Sequence, residues 1–267
     1  MDFLTEPLAQ GFMRRALLAG TVMGGAGGLL GVFIVQRSLS FLSDGLAHAT
    51  FGGMALGLLV GAGLDQAIWV ALPFTVLVAV AINAVRRRSR LGGDVATGVF
   101  FAFAFALGVL FLGLRPAKDS VNVEALLFGS ILAISPEVLL AMLLVAAVTV
   151  AALALYWSRL AYATFDPELA GLSGVPVAAL EYLLLILTAC VVVVGVILVS
   201  AFIVIPAATA TLLGGTLTRI GLLAVALGVT GSGVGLLASY HLNVASGATI
   251  IVTLALAFFL ALLRRRR

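Results

Sequence analysis

The chain has 267 residues, of which 63% are hydrophobic and 10% charged, and its mean hydropathy is +1.27. Soluble domains are roughly half apolar and about a quarter charged, so this composition excludes a soluble globular protein. Repeated apolar runs of about 20 residues predict several membrane-spanning helices. A transmembrane barrel would instead show segments of about ten alternating residues. We therefore expect an all-α polytopic bundle that forms one transmembrane domain over residues 1–267.

The apolar runs predict nine crossings, with eight as the alternative count. Placing Arg86–Arg90, the Ser158–Ala178 loop and the arginine tail in the cytoplasm leaves the N-terminus outside. In chain order they are Phe12–Gln36, Asp44–Leu64, Gln66–Val85, Asp94–Leu114, Val138–Trp157, Leu180–Ser200, Ala201–Leu213, Ile220–Ala238 and Gly247–Leu263.

The formal net charge of +4 comes mostly from two arginine clusters, Arg86–Arg90 and Arg264–Arg267. Both lie beside apolar runs, and the positive-inside rule places them in the cytoplasm. Neither cluster is accompanied by aromatic interleaving or a folded basic domain, so we expect no nucleic-acid partner. The single cysteine, Cys190, lies in an apolar run and is interpreted as a small core residue.

Three interruptions modify the pattern of spans. The apolar piece Ala125–Ile134 is too short to cross a bilayer and predicts a re-entrant helix. Ser158–Ala178 is expected to be the longest loop. Pro206 should break or kink its helix, because a proline removes a backbone hydrogen bond.

A short helix is predicted inside the Ser158–Ala178 loop. Asp166-Pro167-Glu168 combines a capping acid, a proline at the first helical position and a second acid. Gly171 and Gly174 should end this helix after one or two turns. A short capped helix on a loop of a membrane protein is suited to docking a partner.

The pair Asp44 and His48 is the main candidate site. Four residues make about one helical turn, so both side chains should project from one face. Ionisable residues inside an apolar span are costly and indicate a function by default. Carboxylate oxygen and imidazole nitrogen are both ligands for Zn²⁺, Mn²⁺ and Fe²⁺. The structural alternative is an Asp–His hydrogen bond that fastens two helices together.

Several stretches together resemble the membrane subunits of ABC importers for zinc, manganese or iron. They cover essentially the whole chain in order. They are Ser43-Asp44-Gly45-Leu46-Ala47-His48-Ala49, Asp94-Val95-Ala96-Thr97-Gly98, Glu124-Ala125-Leu126-Leu127-Phe128-Gly129-Ser130-Ile131-Leu132, Phe165-Asp166-Pro167-Glu168-Leu169-Ala170, Gly174-Val175-Pro176, Leu198-Val199-Ser200-Ala201, Ile205-Pro206-Ala207-Ala208-Thr209-Ala210 and Ser246-Gly247-Ala248-Thr249-Ile250.

The resemblance implies a homodimeric permease of the vitamin-B12-importer type (a type II ABC importer) in the inner, cytoplasmic membrane. A cytoplasmic ABC ATPase would drive it, and an extracellular or periplasmic metal-binding protein would deliver a divalent transition metal. No tightly bound cofactor is expected. Asp44 and His48 would then contact the metal transiently. The segment that couples transport to the ATPase would consist of Phe165, Asp166, Pro167, Glu168, Leu169, Ala170 and Gly174, and Pro206 would bend a helix of the pathway.

Two positions depart from the family pattern. Ser130 replaces a common aspartate, and His241 replaces a more usual aromatic residue, so we interpret His241 as an interfacial side chain rather than a ligand. No nucleotide-binding Gly-x-x-x-x-Gly-Lys-Ser/Thr loop is present, so we expect a transport subunit and not an enzyme. The alternatives are a proton-coupled secondary transporter, in which more intramembrane acids would be expected, and an intramembrane metalloenzyme, which would need a third ligand.

Overall fold

A computed structural model describes residue 7 and residues 9–89, 93–115 and 134–265 of the chain. Helices account for nearly all of these residues. In chain order they are α1 (Gly11–Gln36), α2 (Ser40–Leu59), α3 (Leu64–Arg88), α4 (Gly93–Leu114), α5 (Pro136–Phe165), α6 (Pro167–Leu172), α7 (Val177–Leu213), α8 (Leu217–Leu242) and α9 (Ser246–Arg265). The expected all-α fold is confirmed.

Six of the described helices, α1, α3, α4, α5, α8 and α9, are long and apolar enough to cross a membrane. Within α7, Val177–Val193 and Leu198–Leu213 are shorter apolar stretches. Helix α2 is not among these six helices, because polar and small residues such as Asp44, His48 and its glycines lower its hydropathy. The expectation of a multi-pass membrane protein is therefore confirmed.

The chain divides into two compact units. The first contains α1 up to Val35, α5 up to Leu155, α7 from Ala201, and helices α8 and α9. Its helices approach closely at glycines: a Cβ added at Gly24 would lie 2.5 Å from the carbonyl oxygen of Gly228. One added at Gly28 would lie 2.6 Å from the carbonyl oxygen of Ala224. Small residues thus let α1 pack backbone to backbone against α8, as the glycine-rich sequence predicts.

The second unit contains Arg37, helices α2, α3 and α4, α5 from Tyr156, α6, and α7 up to Ser200. Helix α2 packs against both α3 and α4. A Cβ at Gly53 would lie 2.6 Å from Cα of Ala71, and one at Gly52 would lie 2.6 Å from the carbonyl oxygen of Ala104. The buried hydroxyls of Thr50 and Thr75 are 3.2 Å apart and join α2 to α3. These contacts fix α2 between its two neighbours.

Several predicted boundaries change. The loop predicted at Ser158–Ala178 is wrong in its first part, because α5 continues to Phe165. Its last turns bury Leu160 and Ala163, so burial extends the helix beyond the polar residues taken to end it. Helix α2 begins at Ser40, one turn before Asp44.

The chain is helical without interruption from Val177 to Leu213, with Pro206 inside the helix. The predicted break between Leu180–Ser200 and Ala201–Leu213 is therefore absent, and a kink at Pro206 stays a prediction. A proline removes the one hydrogen bond that its own nitrogen would donate, so the helical conformation can continue on both sides of it. The predicted re-entrant helix Ala125–Ile134 lies outside the described residues except for Ile134.

Candidate functional site

The second unit contains both of the elements that the sequence singles out. Asp44 and His48 lie on successive turns of α2, each half-buried. Their neighbours Ser43, Leu46 and Ala47 are buried. Helix geometry alone puts the two polar side chains on one face, as predicted. The packing of α2 between α3 and α4 then holds that face in a defined orientation.

The His48 ring is oriented by the backbone of its own helix. Its Nδ1 lies 3.0 Å from the carbonyl oxygen of Asp44. A carbonyl can only accept, so this hydrogen bond requires the proton on Nδ1 and leaves the lone pair of Nε2 available in the neutral ring. Metal-binding histidines commonly donate their other ring nitrogen in this way. The contact lies within one helix, so it does not fasten two helices together.

Two phenylalanines of α4 cover the His48 ring. The ring centroid lies 4.5 Å from that of Phe101 and 5.9 Å from that of Phe105, both in edge-to-face geometry. Helix α4 approaches because Gly45 leaves room for it: a Cβ at Gly45 would lie 2.7 Å from the Thr97 methyl. The apolar rings restrict the rotation of His48 and the access of water to one side of it.

The short helix α6 (Pro167–Leu172) forms where the sequence predicts it. Asp166 caps it, with Oδ1 accepting a hydrogen bond of 3.0 Å from the Leu169 backbone N–H. Ala170 is buried, whereas Leu169 is 52% and Leu172 is 85% exposed. The helix thus attaches to the protein on one side and presents leucines on the other. We call α6 the docking helix, after the role that the sequence predicts for it.

Two further features close the end of the docking helix, a hydrogen bond and a glycine turn. The Tyr162 and Ser173 hydroxyls are 3.1 Å apart and join the last turn of α5 to the residue after α6. Gly174 has φ +79°, a left-handed conformation that glycine adopts without strain and that commonly ends helices. Together they turn the chain back toward α7.

A charged cluster lies at the base of the docking helix. Arg87 Nη1 donates to Glu181 Oε2 at 2.8 Å, and Arg37 Nη1 lies 4.0 Å from Glu181 Oε1. Arg37 Nε also donates to Thr164 Oγ1 at 2.9 Å. Burial lowers the pKa of the Arg37 guanidinium, Glu181 opposes that shift, and Arg86 adds to it. We call Arg37, Arg87, Thr164 and Glu181 the base cluster.

The sequence did not reveal the base cluster, because its members are far apart in the chain. Arg37 and Thr164 are separated by 127 residues, and Arg87 and Glu181 by 94 residues. The available signal was the predicted topology. It places the ends of α1, α3 and α5 and the start of α7 on the cytoplasmic side.

The remaining predicted residues are located elsewhere. His241 is exposed in the first unit, with its ring 5.3 Å from that of Tyr240 in edge-to-face geometry. Pro206 belongs to the same unit, and Cys190 lies half-buried in α7. Among the described residues, His, Cys, Asp and Glu side chains form no group of three or more that could hold a metal ion. Asp44 and His48 therefore belong to no larger group of such side chains within the described residues.

Comparison with known proteins identifies the type of protein to which this arrangement belongs. The profile of the ABC 3 transport family matches residues 9–265. The chain belongs to that family. It is 32% identical over 268 residues to "Manganese transport system membrane protein MntC" of Listeria innocua, covering 98% of this chain and 94% of the relative.

A second relative and a solved structure agree with this membership. "Manganese import system permease protein ScaB" of Streptococcus gordonii is 33% identical over 255 residues, covering 94% of this chain and 90% of the relative. The solved structure titled "PsaBC from Streptococcus pneumoniae in complex with Fab" matches with a TM-score of 0.84 and 31% identity, covering 97% of this chain and 94% of that chain.

Family membership confirms the main predictions. The chain is a permease of a metal ABC transporter family, with the type II ABC importer fold. It is a transport subunit and not an enzyme, since the ATPase of this family is a separate chain. It is a multi-pass protein of the cell membrane.

Proposed function

We propose that the chain is the permease subunit of an ATP-driven importer of a divalent transition metal, with manganese as the first candidate. The main support is the match of the metal-permease family over residues 9–265. The relatives whose names specify manganese cover more than nine-tenths of this chain. Iron and zinc share the same ligand chemistry and are compared directly in the test below.

Asp44 and His48 would contact the ion as it passes. The carboxylate supplies oxygen, and the His48 Nε2 lone pair supplies nitrogen, because Nδ1 is held by the Asp44 carbonyl. One chain then offers two ligands. Two copies related by a dyad would offer four, which completes a coordination sphere in a homodimer. A site assembled from two chains can be opened when those chains move apart, so it can release its ion, which transport requires.

The docking helix would transmit the work of a cytoplasmic ABC ATPase. Its exposed Leu169 and Leu172 suit an apolar groove on such a partner. Phe165, 63% exposed at the end of α5, extends the same apolar surface. An extracellular or periplasmic metal-binding protein would deliver the ion from the other side. Nucleotide-driven movement of the docking helix would shift α2 between outward-open and inward-open arrangements.

Uptake by three variants tests the metal role. Asp44→Ala and His48→Ala should each abolish manganese uptake while leaving assembly with the ATPase intact, because each removes one ligand without touching the docking helix. The matched control is His241→Ala, which removes the exposed histidine of the first unit and should keep wild-type uptake. Wild-type uptake by both α2 variants would refute the metal role.

Metal identity is tested by competition in the same assay. The complex is reconstituted in vesicles, and uptake of labelled Mn²⁺ is measured with Fe²⁺ or Zn²⁺ added in excess. Retained Mn²⁺ uptake supports manganese as the substrate. Replacement of Mn²⁺ uptake by one of the competitors reassigns the substrate within the same proposal.

A further inference from the structure

Within the base cluster, Arg37 joins two segments that both lie far from it in the chain. Arg37 contacts both segments that flank the docking helix: Thr164 two residues before the Asp166 cap, and Glu181 near the start of α7. The chain enters the docking helix through the first of these segments and leaves it through the second. A single side chain therefore bridges the entry and the exit of the docking helix.

Arg37 also lies close in the chain to the candidate metal pair. Only Ser38 and Leu39 separate it from α2, which begins at Ser40. Ser38 has φ +55°, so the connection is a tight turn rather than a slack loop. Three residues reach at most about 10 Å, and Asp44 follows one helical turn later. A displacement of the Arg37 backbone would therefore be passed to the first turns of α2, which carry Asp44 and His48.

The burial of Arg37 makes these contacts specific. Its side chain is 9% exposed. Its Nη2, like Nη1 of Arg86, has no hydrogen-bond partner among the described residues. A buried guanidinium that loses a partner has no solvent to replace it, so the bonds to Thr164 and Glu181 are not exchangeable for water. Arg87, which is 44% exposed, fixes the other oxygen of Glu181 to α3.

We infer that Arg37 is a positioning residue that couples the docking helix to the metal pair: it holds the two flanking segments of the docking helix and passes their movement to α2. The inference rests on the proposed function and extends it to a named connection. Arg37 touches neither the metal nor the ATPase in this scheme. The path from the docking helix through Arg37 and the Ser38 turn to Asp44 lies wholly within the second unit.

The test separates hydrolysis from transport in the reconstituted complex of this chain with its ATPase. Arg37→Met keeps the aliphatic length and removes both polar contacts. Manganese uptake per ATP hydrolysed should fall about tenfold, within the usual range for coupling between two sites. The hydrolysis rate should stay within about twofold of the wild-type rate, because the docking surface is unchanged. Arg88→Met, at an exposed arginine outside the base cluster, is the matched control and should keep the wild-type ratio.

A second variant covers the case in which Arg37→Met does not fold. Thr164→Val is isosteric and deletes the 2.9 Å bond from Arg37 Nε, together with the 2.6 Å bond that the Thr164 hydroxyl donates to the Leu160 carbonyl within α5. It should lower the uptake-to-hydrolysis ratio about threefold, and adding it to Arg37→Met should cause no further loss, because both remove the same connection. Independent losses that multiply would refute the connection, as would a wild-type ratio in Thr164→Val.

The outcomes also separate this inference from the proposed function. Failure of the wild-type complex to take up metal with ATP would overturn the proposed function. Normal wild-type transport with an unchanged ratio in the Arg37 and Thr164 variants would overturn only the role of Arg37. A parallel fall of hydrolysis, uptake and protein yield in Thr164→Val would show that the contact serves folding, and would also overturn that role.

Discussion

The cap of the docking helix gives a prediction whose size follows from one hydrogen bond. Asp166→Ala removes the bond of 3.0 Å between Oδ1 and the Leu169 N–H. A six-residue helix cannot persist by propensity alone. Losing its cap costs about 1 kcal/mol, which lowers the folded fraction up to about fivefold. Because only the folded helix presents Leu169 and Leu172 together, the affinity for the ATPase should fall by up to the same factor.

The assay is titration of the ATPase against the detergent-solubilised permease, and the matched control is Asp166→Asn. Asparagine caps a helix about as well as aspartate does, so this control should bind within about twofold of wild type. Equal weakening by both variants would show that the negative charge, not the cap, carries the effect. Unchanged binding by Asp166→Ala would refute the assignment of α6 as the docking element.

Three further predictions follow from the second unit. Gly53→Ala should destabilise the protein by about 1–3 kcal/mol, because the new Cβ meets the Ala71 backbone. The control Gly98→Ala should leave stability unchanged, because a Cβ there has room. Thermal unfolding of both variants in detergent makes the comparison. Leu172→Asp should abolish ATPase binding with normal yield, since Leu172 is 85% exposed, and binding at wild-type affinity would contradict this. Glu168→Arg should uncouple ATP hydrolysis from metal uptake. If the variant permease still stimulates hydrolysis by the ATPase as the wild type does, Glu168 is not part of the docking surface.

The docking helix could be predicted from sequence because its signals are local. A capping acid, a proline and terminal glycines all lie within nine residues, Asp166 to Gly174. The same holds for Asp44 and His48, whose shared face follows from one turn of helix. The hydrogen bond from His48 to a backbone carbonyl could not be predicted, because it depends on the rotamer selected by Phe101 and Phe105.

The base cluster required the tertiary structure. Arg37 looked like a residue of a short link, and its burial depends on how α3, α5 and α7 meet around it. The end of α5 was misjudged for a related reason: polar residues at Ser158 and Arg159 suggested a loop, whereas the buried Leu160 and Ala163 keep the chain helical. Burial against distant segments outweighs local polarity in both cases.

The central claim is that ATP hydrolysis on a partner chain drives metal inward through this permease. The most direct test is labelled Mn²⁺ uptake by vesicles containing the complex, with ATP and a protonophore present. The account predicts uptake that requires ATP and is insensitive to the protonophore. Uptake that proceeds without ATP and stops when the proton gradient is collapsed would contradict it and would identify a proton-coupled secondary transporter instead.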